Sequence, residues 1–310
     1  MQIHAYLVSH HRLPADADAP RLDAAGLEAV LASHGFTVVA ATSFAGPGYA
    51  GTRRALAHAP GPGGTTADGR VPWQTSRAAL AAELAADATE HALVAAALVE
   101  APRKLLVMDV DSTLIQQEVI ELLAAHAGRE AEVAAVTEAA MRGELDFAES
   151  LHARVATLAG LEASVIDEVR AAVVLSGGAR ELIESFHAAG HLVGVVSGGF
   201  RQILDPLAAD LGLDFARAND LGLADGVLTG TVHGDVVDAA AKEQCLRRWA
   251  ADAGIPLEHT IAAGDGANDL LMVAAAGLGV AYCAKPALRA AADAAIDLPR
   301  LDIIRHLAGV

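Results

Sequence analysis

Two aspartates stand two positions apart at the end of an apolar run. In KLLVMDVDST, Lys104 to Thr113, the segment from Leu105 reads as a buried strand, and Asp109 and Asp111 appear where it stops. A carboxylate taken out of water is unfavourable unless a cation or dense hydrogen bonding meets it. A divalent metal is the simplest partner, and an oxygen-only donor set without His or Cys nearby favours magnesium over zinc. Asp265, in AAGDGAND, ends another apolar run and offers a third carboxylate. Asp269 follows one helical turn later, where it could hold the metal's water shell, and Gly264 and Gly266 let the backbone approach closely.

Magnesium among several carboxylates suggests a phosphate ligand, which also needs N–H donors and a fixed positive charge. Ser197 with Gly198 and Gly199, at the end of LVGVVSGG, supplies a hydroxyl and backbone N–H groups of the kind that cradle anions. Lys242, in DAAAKEQCL just before a helical stretch, is the best nearby cation. Taken singly, each is ordinary: an isolated SGG is more often a turn, and an isolated Lys is more often solvated.

The elements that must position these groups begin after Pro102. Three continuous apolar runs, LLVMD from Leu105, LVGVVSGG from Leu192 and TIAAGDG from Thr260, alternate with helical segments, the mark of a parallel sheet covered on both faces. In such a sheet the ligand crevice lies beyond the carboxyl ends of the strands, so the three endings should meet. The long helical stretch between the first and second runs exceeds a simple crossover and reads as a cap at about 117–182. Within it Phe147, Leu151 and Arg154 fall at i, i+4 and i+7, on one helix face. Arg154 could grip a carboxylate bidentately, and Glu118, just after the aspartates, could meet an ammonium group. From spacing alone both charges are as readily solvated surface groups. LADGVLTGTVHG from Leu223 reads as a β-hairpin turning at Asp225-Gly226.

Residues 1–100 read as a separate small α/β lobe beside the 101–310 body. A strand over residues 2 to 8, a helix around Leu27, Val30 and Leu31, a strand from Phe36, a helix from Ser76 and a strand from Ala92 are expected. Gly46 to Gly69, rich in Gly and Pro, reads as loop.

Bulk properties exclude several roles. A net charge of -17, from 22 basic and 39 acidic residues, argues against nucleic acid, whose affinity comes from arrayed cations. Cys245 and Cys283 provide neither a disulfide framework nor a zinc set; they read as inert core thiols in a reducing cytoplasm. The N-terminal MQIHAYLVSHHR is not a secretory signal, and the longest apolar stretch, from Leu270, is shorter than the roughly 18 residues a span needs, so no membrane association is expected. The histidines form no ligand-spaced pair, and His10-His11 reads as an exposed strand end.

DVDST (109 to 113), VSGGF (196 to 200), Lys242 and GDGAND (264 to 269), in this order and at strand ends, resemble the haloacid dehalogenase-like phosphatases. Within that family the similarity is to members acting on O-phospho-L-serine, and it covers about residues 103 to 308, including MRGELDFAESLHARV in the cap and GLGVAYCAKP near the end. The resemblance implies a doubly wound, Rossmannoid parallel sheet with an inserted helical cap. It implies Asp109 as nucleophile, Asp111 as general acid then base, and Mg2+ held by Asp109, the Asp111 carbonyl and Asp265. Ser197, Gly198, Lys242, Asn268 and the N–H groups after Asp111 would hold the phosphoryl group. Glu118 and Arg154 would bind the amine and carboxylate of the substrate, with Met141 and Phe147 lining its pocket. The expected reaction is magnesium-dependent release of L-serine, the last step of serine biosynthesis. Another small phosphomonoester, such as phosphohomoserine or phosphothreonine, and a non-catalytic amino-acid sensor remain open as alternatives. The lobe 1–100 resembles ACT-type regulatory domains in element order, which implies regulation or a homodimer.

Overall fold

The computed structural model describes residues 2–14, 19–58, 73–141 and 146–310. Its body is a seven-stranded sheet in the order β11-β10-β9-β5-β6-β7-β8. The strands are β5 (Leu105–Met108), β6 (Leu192–Phe200), β7 (Phe215–Ala224), β8 (Val227–His233), β9 (Thr260–Gly264), β10 (Leu278–Tyr282) and β11 (Ala294–Ile296). β5 lies at the centre, parallel to β6 on one side and β9 on the other, so the three apolar runs do end side by side. All four residues of β5 are buried. Strand periodicity sends Leu106 and Met108 into one hydrophobic core and Leu105 and Val107 into the other.

Helices cover both faces. α8 (Ala179–Ala188), α9 (Arg201–Leu211) and α13 (Ile303–Ala308) contribute to the first core, and α10 (Ala239–Asp252), α11 (Leu270–Ala275) and α12 (Pro286–Ala291) to the second. The sheet is not wholly parallel, because β7 and β8 form an antiparallel hairpin at its edge. Asp225 and Gly226, both at positive φ, make its tight turn.

Between β5 and α8 the chain builds α4 (Val119–Ala127), α5 (Glu130–Met141), α6 (Phe147–Ala156) and α7 (Val165–Ala172). Entry and exit run side by side through the bridge Ile115↔Leu175, with Gln116 N–H donating to the Val174 carbonyl and Ser176 N–H to that of Leu114. The edge hairpin supports this layer: Leu228 exchanges backbone bonds with Gly160 and Leu161 on the loop after α6. A capping box between Asp146 and Glu149 starts α6.

The first hundred residues form β1 (Ala5–Arg12), α1 (Ala24–Ser33), β2 (Phe36–Gly46), β3 (Tyr49–His58), α2 (Trp73–Leu84) and β4 (Glu90–Ala95), then a short α3 (Ala96–Val99). The four strands are antiparallel in the order β2-β3-β1-β4. β3 falls inside the stretch expected to be loop. Gly46 and Gly48 precede it and Gly51 lies within it, and pairing with β1 and β2 on its two sides outweighs the local composition; residues 59–69 of that stretch lie outside the described residues. The strand expected from Ala92 ends at Ala95, where α3 begins. His10 is buried rather than exposed, because it faces Glu90 at 2.7 Å under the junction with the body. Of the two thiols, Cys245 is in the core and Cys283 is exposed just past β10. Among the described residues no helix is long and apolar enough to cross a membrane.

One sheet face of the lobe carries α1 and α2 over its own core. The other sends Val8, Tyr49, Ala92 and Val94 into the core of the body. There the Tyr49 hydroxyl donates to Asp302 at 2.8 Å, and Phe44 stacks on His306 with ring centroids 3.9 Å apart.

Candidate active site

The carboxyl ends of β5, β6 and β9 open into a cavity of about 480 Å3 roofed by α6. Asp109 leaves β5 with its N–H bound to the Ala263 carbonyl of β9, which fixes its position against the neighbouring strand. Its Oδ1 accepts from Val110 N–H at 2.7 Å and from the Lys242 ammonium at 2.7 Å. Among the described residues Oδ2 meets no donor. One oxygen is therefore fixed and the other is open.

Lys242 is fully buried in the first turn of α10, a helix capped by Asp238 through Ala241 N–H at 2.8 Å. It sits 2.6 Å from Asp269 as well as 2.7 Å from Asp109. Burial alone would lower its pKa, but the two carboxylates hold it above the ordinary lysine value. Lys242 does not line the cavity; the cation expected to face phosphate stands behind the carboxylates.

Asp269 Oδ1 takes Lys242, and Oδ2 accepts from the N–H groups of Asp265 and Gly266 at 3.2 and 3.1 Å. This folds the GDGAND loop around its own carboxylate, and a side chain at Gly264 would collide with Asp269. Asp109, Asp265 and Asp269 bring ligand oxygens within 4.8 Å of one another, all buried. Such a cluster suits a divalent cation. Burial pushes the Asp265 carboxyl up, as it does Asp109, which burial and then Asp269 bring to about 7 against the pull of Lys242.

Asp111 lies on the cavity wall with its Oδ1 shielded and unpartnered, while Oδ2 meets only Val119 N–H at 3.4 Å. Desolvation first, then Glu118 and Asp109, raise its pKa well above the carboxylate range. Burial and the two neighbouring carboxylates favour the protonated form of Asp111, and among the described residues its Oδ1 has no hydrogen-bond partner. The chain between the two aspartates and the roof is tight: Ser112 takes φ 57°, and its hydroxyl donates to Glu118 at 2.7 Å. Ser112 N–H is bound to the Gln117 carbonyl, so this one of the N–H groups after Asp111 is not a free donor.

Ser197, Gly198 and Asn268 line the cavity, with the Ser197 hydroxyl accepting from Gly199 N–H at 2.7 Å. From the roof, Phe147, Leu151 and Arg154 all face it, as the helical spacing requires. Phe147 closes so tightly on the β6 loop that a Cβ on Gly198 would lie 3.0 Å from the ring. The Arg154 Nε–H donates to the Ser150 carbonyl at 3.2 Å, and among the described residues no carboxylate lies within 4 Å of it. Met141 ends α5, but its side chain lies outside the described residues. Sequence reasoning assigned no role to Lys285, which lines the mouth with its ammonium 3.6 Å from Asp265. It lies in the quoted GLGVAYCAKP segment; a lone Lys before a Pro carries no local signal of chemistry.

A family model described as haloacid dehalogenase-like hydrolase matches residues 106–274. The chain is 60% identical over 240 residues to the phosphoserine phosphatase of Streptomyces coelicolor, covering 77% of this chain but 58% of that one, so it spans little over half of that relative's length. A solved phosphoserine phosphatase bearing a phospho-aspartyl intermediate analogue is 42% identical, with a TM-score of 0.63 over 66% of this chain and 98% of its own. The unliganded probable phosphoserine phosphatase of Vibrio cholerae, at 31% identity and a TM-score of 0.70, covers 98% of this chain, lobe included, and 87% of its own.

Proposed function

The chain belongs to the haloacid dehalogenase-like hydrolase family, and on that premise we propose that it hydrolyses O-phospho-L-serine to L-serine and phosphate through an aspartyl-phosphate. The observation that carries this reading is the asymmetry of the β5 aspartates: Asp109 has one oxygen fixed by Lys242 and Val110 N–H and the other open, while Asp111 turns a shielded, unpartnered oxygen to the cavity in surroundings that favour its protonated form.

Asp109 Oδ2 attacks phosphorus as the bond to the serine oxygen breaks, and Asp111 gives its proton to that oxygen, so a neutral alcohol leaves. The Asp111 carboxylate then takes a proton from water, whose oxygen attacks phosphorus. The Asp109 Oδ2–phosphorus bond breaks and inorganic phosphate is released. Lys242 fixes the other oxygen of Asp109 throughout. Asp109, the Asp111 carbonyl and Asp265 would hold Mg2+, with Asp269 ordering the loop behind them; the ion, when bound, neutralises charge on the phosphoryl oxygens. The all-oxygen donor set fits a hard cation.

Ser197, Gly198 and Asn268 hold the phosphoryl group. Arg154, which among the described residues forms no ion pair, takes the carboxylate of the substrate. Glu118 takes its ammonium, and Phe147 packs on the carbon between. Phosphate release should be fast from O-phospho-L-serine with magnesium and at least about 10-fold slower from esters lacking either the carboxylate or the amine, since the half-buried partner is then left unpaired. Equal rates across such a panel would refute the substrate; no release from any ester would refute the reaction.

For the lobe at 1–100 we infer a pairing or regulatory role of the ACT kind, in a homodimer within the cytoplasm and without nucleic-acid or membrane partners. Strand β2 is an edge of 11 residues with neither charge nor proline, and most of it is exposed, which makes it a template for a second copy. Size measurements should give a dimer that Thr42→Lys in this edge dissociates; a wild-type monomer would refute the pairing.

A further inference from the structure

The phosphate ester proposed above is an anion that must enter an acidic protein through an acidic mouth. Among the described residues the cavity is lined by five carboxylates, Asp109, Asp111, Glu118, Asp146 and Asp265, and by two cations, Arg154 and Lys285. The whole chain carries a net charge of -17. Lys242 does nothing for this approach, since it is fully buried and bound on both sides. Arg154 is drawn back under α6, partly buried, toward Glu118, Glu121 and Asp111.

Lys285 differs from both. Its side chain is 71% exposed at the rim, and its ionic partner among the described residues, Asp265, is 3.6 Å away. A pair so exposed contributes little, of order 0–1 kcal/mol, so the ammonium is free to leave Asp265 for a better anion. Its backbone, in contrast, is anchored. Lys285 N–H donates to the Asp265 carbonyl at 2.8 Å, its carbonyl accepts from Arg289 N–H at 3.1 Å, and Pro286 starts α12 directly after it. A flexible cationic stem thus stands on a fixed base beside the β9 end.

We propose that Lys285 is the capture residue of this site: it meets the phosphoryl dianion at the mouth, offsets the surrounding carboxylates and delivers the ester to the floor, without entering the bond-making steps. The inference rests on the reading of the cavity as a phosphate-ester site. A rim charge acts on association and its salt dependence rather than on chemistry. Such an effect disappears as salt screens the mouth, with a screening length of about 10 Å at 0.1 M.

The test is steady-state turnover of O-phospho-L-serine by wild type, Lys285→Ala, Lys285→Arg and Lys285→Glu across ionic strengths at saturating magnesium. Lys285→Ala should lower kcat/KM about 3- to 10-fold at low salt with kcat unchanged, and should change its salt dependence so that the gap to wild type closes as salt rises. Lys285→Arg should restore the wild-type profile, and Lys285→Glu should fall below Lys285→Ala. The inference is overturned if kcat falls in parallel with kcat/KM, if the salt dependence is unchanged, or if half-saturation shifts to higher magnesium, which would make Lys285 a support for Asp265. An active wild type matched by all three variants defeats this inference alone. A wild type inactive on every ester defeats the site reading beneath it too.

Discussion

At the floor of the cavity, Lys242 lies fully buried between Asp109 and Asp269, with Asp265 and Asp111 close by. At the junction of lobe and body, Tyr49, Asp302 and His306 are also packed together, but there the Arg300 guanidinium stands 2.9 Å from Asp302 and the Tyr49 hydroxyl donates to its other oxygen. At the junction the Asp302 carboxylate is thus met by a cation and a hydroxyl. Tyr49 and His306 are held uncharged: burial pushes the Tyr49 phenol up to about 12 and brings the His306 imidazole down to about 4. Among the described residues the floor leaves carboxylates in excess of its one buried ammonium. A cluster that serves only to join two parts can discharge what it buries, whereas uncompensated acid at three strand ends persists where chemistry or a bound cation uses it.

The sharpest way to separate the two clusters is to remove the cation of the floor. Lys242→Met leaves Asp109 and Asp269 buried without their ammonium, so the metal-free protein should lose about 3–5 kcal/mol of stability, and turnover should collapse with it. Denaturant unfolding of the metal-free variant checks this. A loss below about 1 kcal/mol would mean that water already compensates the floor, and the contrast with the junction would fail.

A smaller effect is expected at the junction, and it depends on pH. His306 takes up a proton near its ordinary 6.5 when unfolded but near 4 when folded, held down by burial and then by Arg305. Between those values the unfolded chain binds the extra proton. The stabilisation is therefore complete above the ordinary value and is lost as pH falls through about 4. His306→Gln should flatten this part of the stability profile by of order 1–2 kcal/mol, solvent screening allowed for. His191, also brought to about 4 by burial and then Lys104, has the same sign and remains in the variant, so the comparison isolates His306. A profile unchanged by the substitution would show that the junction does not depend on a neutral imidazole.

The two regions also differed in how far their sequences exposed them. Asp109, Asp111, Ser197, Asp265 and Asp269 could be read because each sits in a short motif at the end of an apolar run, and strand ends converge in a parallel sheet. Phe147 and Arg154 followed from helical spacing. Lys242 was found as a cation, but its burial behind the floor depends on the packing of α10 on the GDGAND loop. Lys285 gave no local signal, since its meeting with Asp265 is made by the pairing of β9 with β10 and not by any motif around it. At the junction almost nothing was legible. β3 was hidden by the glycines in and before it, and His10 is buried only because the lobe lies against the body. Tyr49 and Asp302 are 253 positions apart, with no motif around either.

The central claim, that the open oxygen of Asp109 takes the phosphoryl group, is tested most directly by trapping. Wild type mixed with O-phospho-L-serine radiolabelled on phosphorus and magnesium, then quenched in acid within one turnover, should carry label on the peptide containing Asp109, and Asp109→Asn should carry none. Turnover by a wild type that never acquires label, or label retained in the variant, would contradict the account.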